Sequence, residues 1–158
     1  MKCELSRCVW SPCDPPKVKV EVTFPEEGGT RVRMISDRLP TRAVNTLPQS
    51  SVWEDDCLEF FYEKDGGYVN LEANANGALR AAWGPDRNNR SFIDYAYVST
   101  RITETGWEAV FTTPDTAVKA NFYACADKAE KPYYASWREI KTPEPDFHRP
   151  EFFGIITE

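Results

Sequence analysis

Glu59 and Glu72 are the pair of residues in this sequence with the clearest capacity for chemistry, because the pattern around them sets one directly across from the other. They lie in VWEDDCLEFFYEKDGGYVNLEANANGAL, Val52 to Leu79, where apolar and polar residues alternate on both sides of Lys64-Asp65-Gly66-Gly67. Glycine takes positive φ without steric cost and aspartate caps its own backbone, so those four residues read as the turn of a hairpin. Glu63 then faces Tyr68, Phe61 faces Asn70, Glu59 faces Glu72 and Leu58 faces Ala73. One face of the ribbon is apolar, with Leu58, Phe60, Tyr62, Val69, Leu71 and Ala73. The other carries Trp53, Cys57, Glu59 and Phe61 beside Tyr68, Asn70, Glu72 and Asn74.

Two carboxylates directly opposite on neighbouring strands repel by several tenths of a kcal/mol, and by more when partly desolvated. Compensation can come from an arginine on a neighbouring strand, a bound cation, a shared proton or a ligand rich in hydroxyl donors. Arg80, Arg87 and Arg90 are the nearest cations in sequence. Rings beside carboxylates and amides suit a sugar, whose C–H faces stack on the rings while its hydroxyls donate to Glu and Asn. Two other readings stay open for the same residues: a merely solvated outer face, and the acid/base pair of a glycosidase, since such carboxyls lie about 5 Å apart in retaining enzymes. A flat strand face offers little to enclose a reacting bond, so no residue is assigned a catalytic role.

The chain that must position these residues has 158 of them, a net charge of −6 and a pI near 5.0. That length fits one domain, able to bury about two-thirds of its unfolded surface. The acidic balance argues against nucleic acid or an anionic membrane as partner, because no basic run is present to displace counterions. There is no apolar run near the roughly eighteen residues of a membrane span, and Met-Lys-Cys-Glu-Leu-Ser-Arg lacks the apolar core of a signal peptide. The sequence as it begins predicts a cytoplasmic chain; a leader removed upstream would make it secreted. Five cysteines, at Cys3, Cys8, Cys13, Cys57 and Cys125, match neither a zinc ribbon nor a disulfide framework and read as free thiols. Cys57 and Cys125 fall in strand-like runs as small packing residues. His148 is the one histidine, and nothing in the sequence brings a cysteine to it.

Residues 1–16 end in Ser-Pro-Cys-Asp-Pro-Pro and read as an irregular arm. Lys17 to Phe24 alternates, with Val18, Val20, Val22 and Phe24 inward, and Arg31 to Ile35 returns as its hairpin partner. Ser36 to Ser51 reads as a long loop. Ala78 to Ser91 reads as loop or as a short helix and loop, and strands follow over Ser91–Thr103, Gly106–Pro114, Ala120–Ala126 and Glu151–Thr157. Between the last two runs a proline-rich excursion, with Tyr133, Tyr134, Trp137 and Phe147, is stiff enough to lower the ordering cost of binding. Seven or eight strands with scarcely a helix predict an all-β fold, an antiparallel β-sandwich spanning residues 17–158 as a single domain.

The succession VWEDDCLEFF, YVNLEANANGAL, GWEAVFTTP, NFYACADK, SWREI and DFHRPEFFG resembles the carbohydrate-binding module family 9-like domains, from about Thr41 to the C-terminus. The resemblance implies a jelly-roll-like β-sandwich related to the DOMON domains, with a non-catalytic role in binding a small carbohydrate. It implies that Trp53 is the first ring of an aromatic clamp, that Glu59 and Asn74 take hydroxyls, and that Glu72 stands where the family often has another polar group. The second ring falls in Asp146-Phe147-His148-Arg149-Pro150, which makes Phe147 the counterpart, with Arg149 beside it and Trp137 as the nearby substitute. A polar side chain that some members carry on the Asn121–Asp127 strand falls at Ala124 here. No cofactor is implied; structural calcium, known in some relatives, would draw on Glu54, Asp55, Asp56 or Asp65. A sandwich that has lost its sugar and serves as a protein interaction domain is the alternative function.

Overall fold

The computed structural model describes residues 1–127 and 130–157. Thirteen short strands follow in chain order: β1 (Lys2–Glu4), β2 (Ser6–Arg7), β3 (Val18–Thr23), β4 (Thr30–Ser36), β5 (Asp56–Lys64), β6 (Gly67–Asn74), β7 (Leu79–Asp86), β8 (Asn89–Phe92), β9 (Tyr97–Ile102), β10 (Trp107–Thr113), β11 (Lys119–Ala126), β12 (Tyr134–Ser136) and β13 (Gly154–Ile155). Every described pairing is antiparallel. One sheet runs β1-β3-β4-β10-β9 and the other runs β2-β12-β11-β5-β6-β7-β8, with β13 paired to β11.

The two sheets face each other across one core. Val18, Val20 and Val22 of β3 and Val32 and Met34 of β4 meet Leu58, Phe60, Tyr62, Val69, Leu71 and Phe122 of the second sheet. The period-2 apolar pattern places each of these on its inner face, as expected for strands buried on one side. The hairpin of β5 and β6 has the register that the alternation dictates, including Glu59 opposite Glu72 and Leu58 opposite Ala73. Its two-residue loop puts Asp65 at φ 50° and Gly66 at φ 74°, the signature of a turn whose twist matches that of the strands.

Several elements differ from the sequence expectation. The arm is irregular only over residues 8–16: before them β1 pairs with β3 at the edge of one sheet and β2 with β12 at the edge of the other. Phe24 lies past the end of β3 and is 39% exposed, because the strand stops at Thr23 before Pro25. Residues 78–91 form neither helix nor loop but most of a hairpin, β7 and β8, with Asp86 capping the turn through the Asn88 and Asn89 amides. Gly84 sits at an irregularity of this pair where a Cβ would collide with the Asn89 carbonyl oxygen. The run 91–103 divides between the sheets, β8 ending at Phe92 and β9 beginning at Tyr97. At the C-terminus only Gly154–Ile155 is strand, preceded by a 3-10 turn over Pro150–Phe152. Among the described residues, no helix is long and apolar enough to cross a membrane.

Candidate functional site

The outer face of the second sheet is polar in sequence yet buried in the structure. Glu59 is 2% and Glu72 is 6% exposed, and Asn70, Asn74, Phe61 and Tyr68 beside them are buried as well. The cover is the proline-rich excursion, which returns over this face and plants Phe147 against Tyr123 of β11, rings stacked at 4.4 Å and 12°. Trp10 of the N-terminal arm and Tyr134 of β12 pack around the same Phe147, at 5.9 and 6.1 Å. Between this strap and the sheet lies an open cleft of about 380 Å³, lined by Trp53, Glu59, Asn70, Glu72, Arg80, Ala82, Arg87, Arg90, Cys125, Asp127, Tyr134 and residues 145–148.

The carboxyls form its floor. Burial and the neighbouring Glu72 charge push the Glu59 carboxyl well above the usual range, and Cys125 donates its thiol to Glu59 Oε1 at 3.4 Å. Burial pushes Glu72 up to about 7; the Asn70 amide, donating to Glu72 Oε2 at 2.8 Å, and the charges of Arg80, Arg90 and Arg87 oppose it without cancelling it. Asn70 is oriented by Arg90, whose guanidinium donates to Asn70 Oδ1 and to the carbonyls of Tyr68, Ala82 and Gly84 while lying 4.0 Å over the Tyr68 ring. The like-charge repulsion written into the register is thus met in two ways: by arginines on the adjoining strands and by retention of protons.

Trp53 stands at the rim, in a 3-10 turn over Val52–Glu54 that precedes β5 and is not part of it. The turn is fixed by Asp55, whose carboxylate accepts from Arg42 Nε, the amides of Val44 and Asn45, and the side-chain amides of Asn45 and Asn74. Burial raises the Asp55 pKa, but these hydrogen bonds outweigh it and hold the carboxyl below its ordinary value. Arg80 completes the wall, its guanidinium 4.6 Å from the Trp53 ring centre and donating to the Gln49 carbonyl at 2.9 Å.

His148 enters from the strap. Its Nδ1 pairs with the Tyr68 hydroxyl at 2.7 Å, and its ring packs 5.0 Å from Phe61. Burial, reinforced by the charges of Arg90 and Arg87, pushes its pKa down to about 4, so the ring is neutral near pH 7.

Trp53, Glu59, Glu72 and Phe147 therefore meet at the cleft, while three other expected site residues do not. Asn74 is fully buried and spends its side chain on Asp55, Asn45 and the Ala78 amide. Trp137 packs on Phe122 at 5.6 Å, with Arg138 over its ring, against the core and away from the cleft. Arg149 is paired with Asp146 and Glu151 and lies outside the lining. Ala124 faces inward opposite Leu58, so the side chain that β11 offers to the cleft is Cys125, one residue along. Tyr134 and His148 carried no signal of their own in the sequence, because the excursion that holds them has no period from which to read a face. Of the carboxylates considered for calcium, Asp55 is saturated by the donors above and Asp56 accepts from the Thr41 amide and hydroxyl. Among the described residues, no group of three or more His, Cys, Asp or Glu is placed to hold a metal ion.

Comparison with known proteins adds two findings. The sequence model of carbohydrate-binding family 9 matches residues 2–110 and 102–157. A crystal structure of a proposed carbohydrate-binding protein from Bacteroides uniformis ATCC 8492 superposes with a TM-score of 0.84 at 26% identity, covering 98% of this chain and 84% of that one. No curated protein matches the chain.

Proposed function

The chain belongs to carbohydrate-binding family 9, and from that premise we propose that the outer-face cleft is a non-catalytic sugar site. The observation that carries this reading is the combination of buried carboxyl and amide groups with two flanking rings, Trp53 and Phe147, around one open cleft. A pyranose presents apolar C–H faces and a girdle of hydroxyls, and the cleft offers surfaces for both. Glu72 accepts hydroxyl protons, and Glu59, whose carboxyl is pushed well above the usual range by burial and the Glu72 charge, can both donate and accept. Arg80 uses one nitrogen on Gln49 and keeps further N–H groups for ring and hydroxyl oxygens. If the Tyr68 hydroxyl donates to Nδ1 of His148, the imidazole Nε2–H is left as a neutral donor.

A monosaccharide has about a dozen heavy atoms, and at about 0.3 kcal/mol per atom the binding energy is near −4 kcal/mol, a Kd of about 1 mM. Titration with a panel of mono- and oligosaccharides, followed by tryptophan fluorescence, should show saturable quenching or enhancement in this range. Trp53→Ala should abolish the response. A panel that leaves the wild-type signal unchanged up to tens of millimolar would remove the reading.

A further inference from the structure

The cleft wall holds positive charge that the neighbouring carboxylates leave unanswered. Arg80, Arg87 and Arg90 all line it, and Arg87 pairs with Asp146 at 3.0 Å. Among the described residues, neither Arg80 nor Arg90 forms an ion pair with a carboxylate. Arg80 stands directly opposite Glu72 in the strand register, yet the Glu72 oxygen accepts from the Asn70 amide instead. Arg90 is spent within the fold, on Asn70 and on the backbone carbonyls of Tyr68, Ala82 and Gly84. Arg80 keeps most of its donors. A guanidinium has five N–H groups, and here one goes to the Gln49 carbonyl. The guanidinium lies between two rings, 4.6 Å from the centre of Trp53 and 5.0 Å from that of Phe92. These contacts hold it in place and leave the remaining N–H groups as a fork that needs little further ordering to receive a ligand.

The charge balance of the lining points the same way. Three arginines face two aspartates, Asp127 and Asp146, besides the two floor glutamates. Burial holds Glu59 well above the usual carboxyl range and raises Glu72 to about 7, so below that pH both floor carboxyls keep their protons. The lining is then in excess by one positive charge, within a chain whose net charge is −6. A partly desolvated cation without a counter-ion is costly, and a ligand that brings one negative charge removes that cost. A carboxylate matches the guanidinium fork with two parallel N–H···O bonds, whereas a phosphate, at about −2, would overshoot the balance. Residues opposite in a sheet have Cβ atoms about 5 Å apart, roughly the span of one pyranose, so a single ring can reach both Arg80 and Glu72. We propose that the cleft selects a uronic acid, a sugar whose carboxylate pairs with Arg80 while its hydroxyls meet the floor. This rests on the cleft being a sugar site, and it adds that the sugar is acidic.

The test is calorimetric titration at pH 6 of galacturonate and glucuronate, the methyl ester of each, and galactose and glucose, against wild type and Arg80→Gln. One charge-assisted pair is worth about a factor of ten in Kd. At least one uronate should therefore bind wild type about tenfold more tightly than its own methyl ester and than the neutral sugar with the same ring. The ester keeps the shape and removes the charge without altering the protein, so this comparison does not depend on any variant folding. In Arg80→Gln the uronate and the neutral sugar should bind within about twofold of each other. Taking the ratio within one variant cancels any loss that the substitution transmits through Trp53. Neutral-sugar binding with no gain from the carboxylate overturns the acidic ligand and leaves the cleft reading intact. A gain that persists in Arg80→Gln overturns it as well, since the charge is then read by another residue. No response to any sugar, neutral or acidic, removes the cleft reading and the acidic ligand together.

Discussion

Replacing Glu72 by glutamine tests whether the cleft floor holds a proton that the unfolded chain would release. Glu72 lies opposite Glu59, both are buried, and the folded-state pKa of Glu72 is raised from 4.5 to about 7. A group raised in this way contributes stability that is fully present below its unfolded value, near 4.5, and is lost as pH rises through its folded value. At 1.36 kcal/mol per pH unit the loss across that window is about 3 kcal/mol. Glutamine keeps the shape and the oxygen that accepts from Asn70, but has no charge to bury. The variant should therefore lie within about 1 kcal/mol of wild type at pH 5 and gain about 3 kcal/mol on it by pH 8. The pair titrates jointly, so in the variant the remaining proton belongs to Glu59, which burial still holds above the usual range. Denaturant unfolding followed by tryptophan fluorescence at pH 5, 6, 7 and 8 measures the difference, and differencing against wild type cancels the titrating groups that do not interact with Glu72. A difference that is constant with pH, or that grows as pH falls, would refute the account of a buried carboxyl that keeps its proton.

His148 should contribute the opposite slope: its pKa is depressed from 6.5 to about 4, so its share of stability is lost as pH falls through that range. Between about 4.5 and 6.5 this opposes the Glu72 contribution, so stability in His148→Gln should fall more steeply, or rise less, with pH than in wild type; an unchanged slope in the variant would count against the buried neutral imidazole. Asp55→Ala removes the acceptor for five donors, including Arg42, and should cost about 3–5 kcal/mol. It should also weaken sugar binding by loosening the Trp53 turn, and a melting temperature within a degree or two of wild type would show that the anchor is not needed.

What the sequence made legible was whatever a short-range pattern controls. The β5 and β6 register follows from alternation around one turn, and a slip of one residue would have exchanged the faces. For that reason Glu59 opposite Glu72 was readable, whereas Arg80, Arg87 and Arg90 stood out only as the nearest cations in sequence, their hairpin unread. Asn74 shows the limit: its parity was right, but only the fold brings Asp55 to its amide, which turns an apparent ligand contact into an anchor. Trp137 and Phe147 are adjacent alternatives in an aperiodic, proline-rich stretch. No local rule says which ring faces the core, and long-range packing on Phe122 and Tyr123 decides it. Residues 78–91 were obscured by Gly84 and Pro85, which read as breakers. Here they mark an edge hairpin with an irregular register, a place where such residues are tolerated.

The placement of the two carboxyls also bears on what the cleft does with a sugar. A glycosidase sets its carboxyls on either side of the scissile bond, one to protonate the leaving oxygen and the other to attack or to activate water from the opposite face of the ring. Glu59 and Glu72 project from neighbouring strands through the same face of one sheet, and Glu72 is committed to Asn70. A ring held in the proposed site would meet both from below, while the side above is supplied by Phe147 and His148 of the strap, an apolar ring and a neutral imidazole. Acid and nucleophile on one side cannot act in line across a bond. Side by side, the same pair can take neighbouring hydroxyls, and that arrangement suits holding a sugar better than cutting it. The cost of burying the pair is borne by the fold in the pH range where Glu72 ionises, so the penalty in stability and the polar surface presented to the ligand have a common origin.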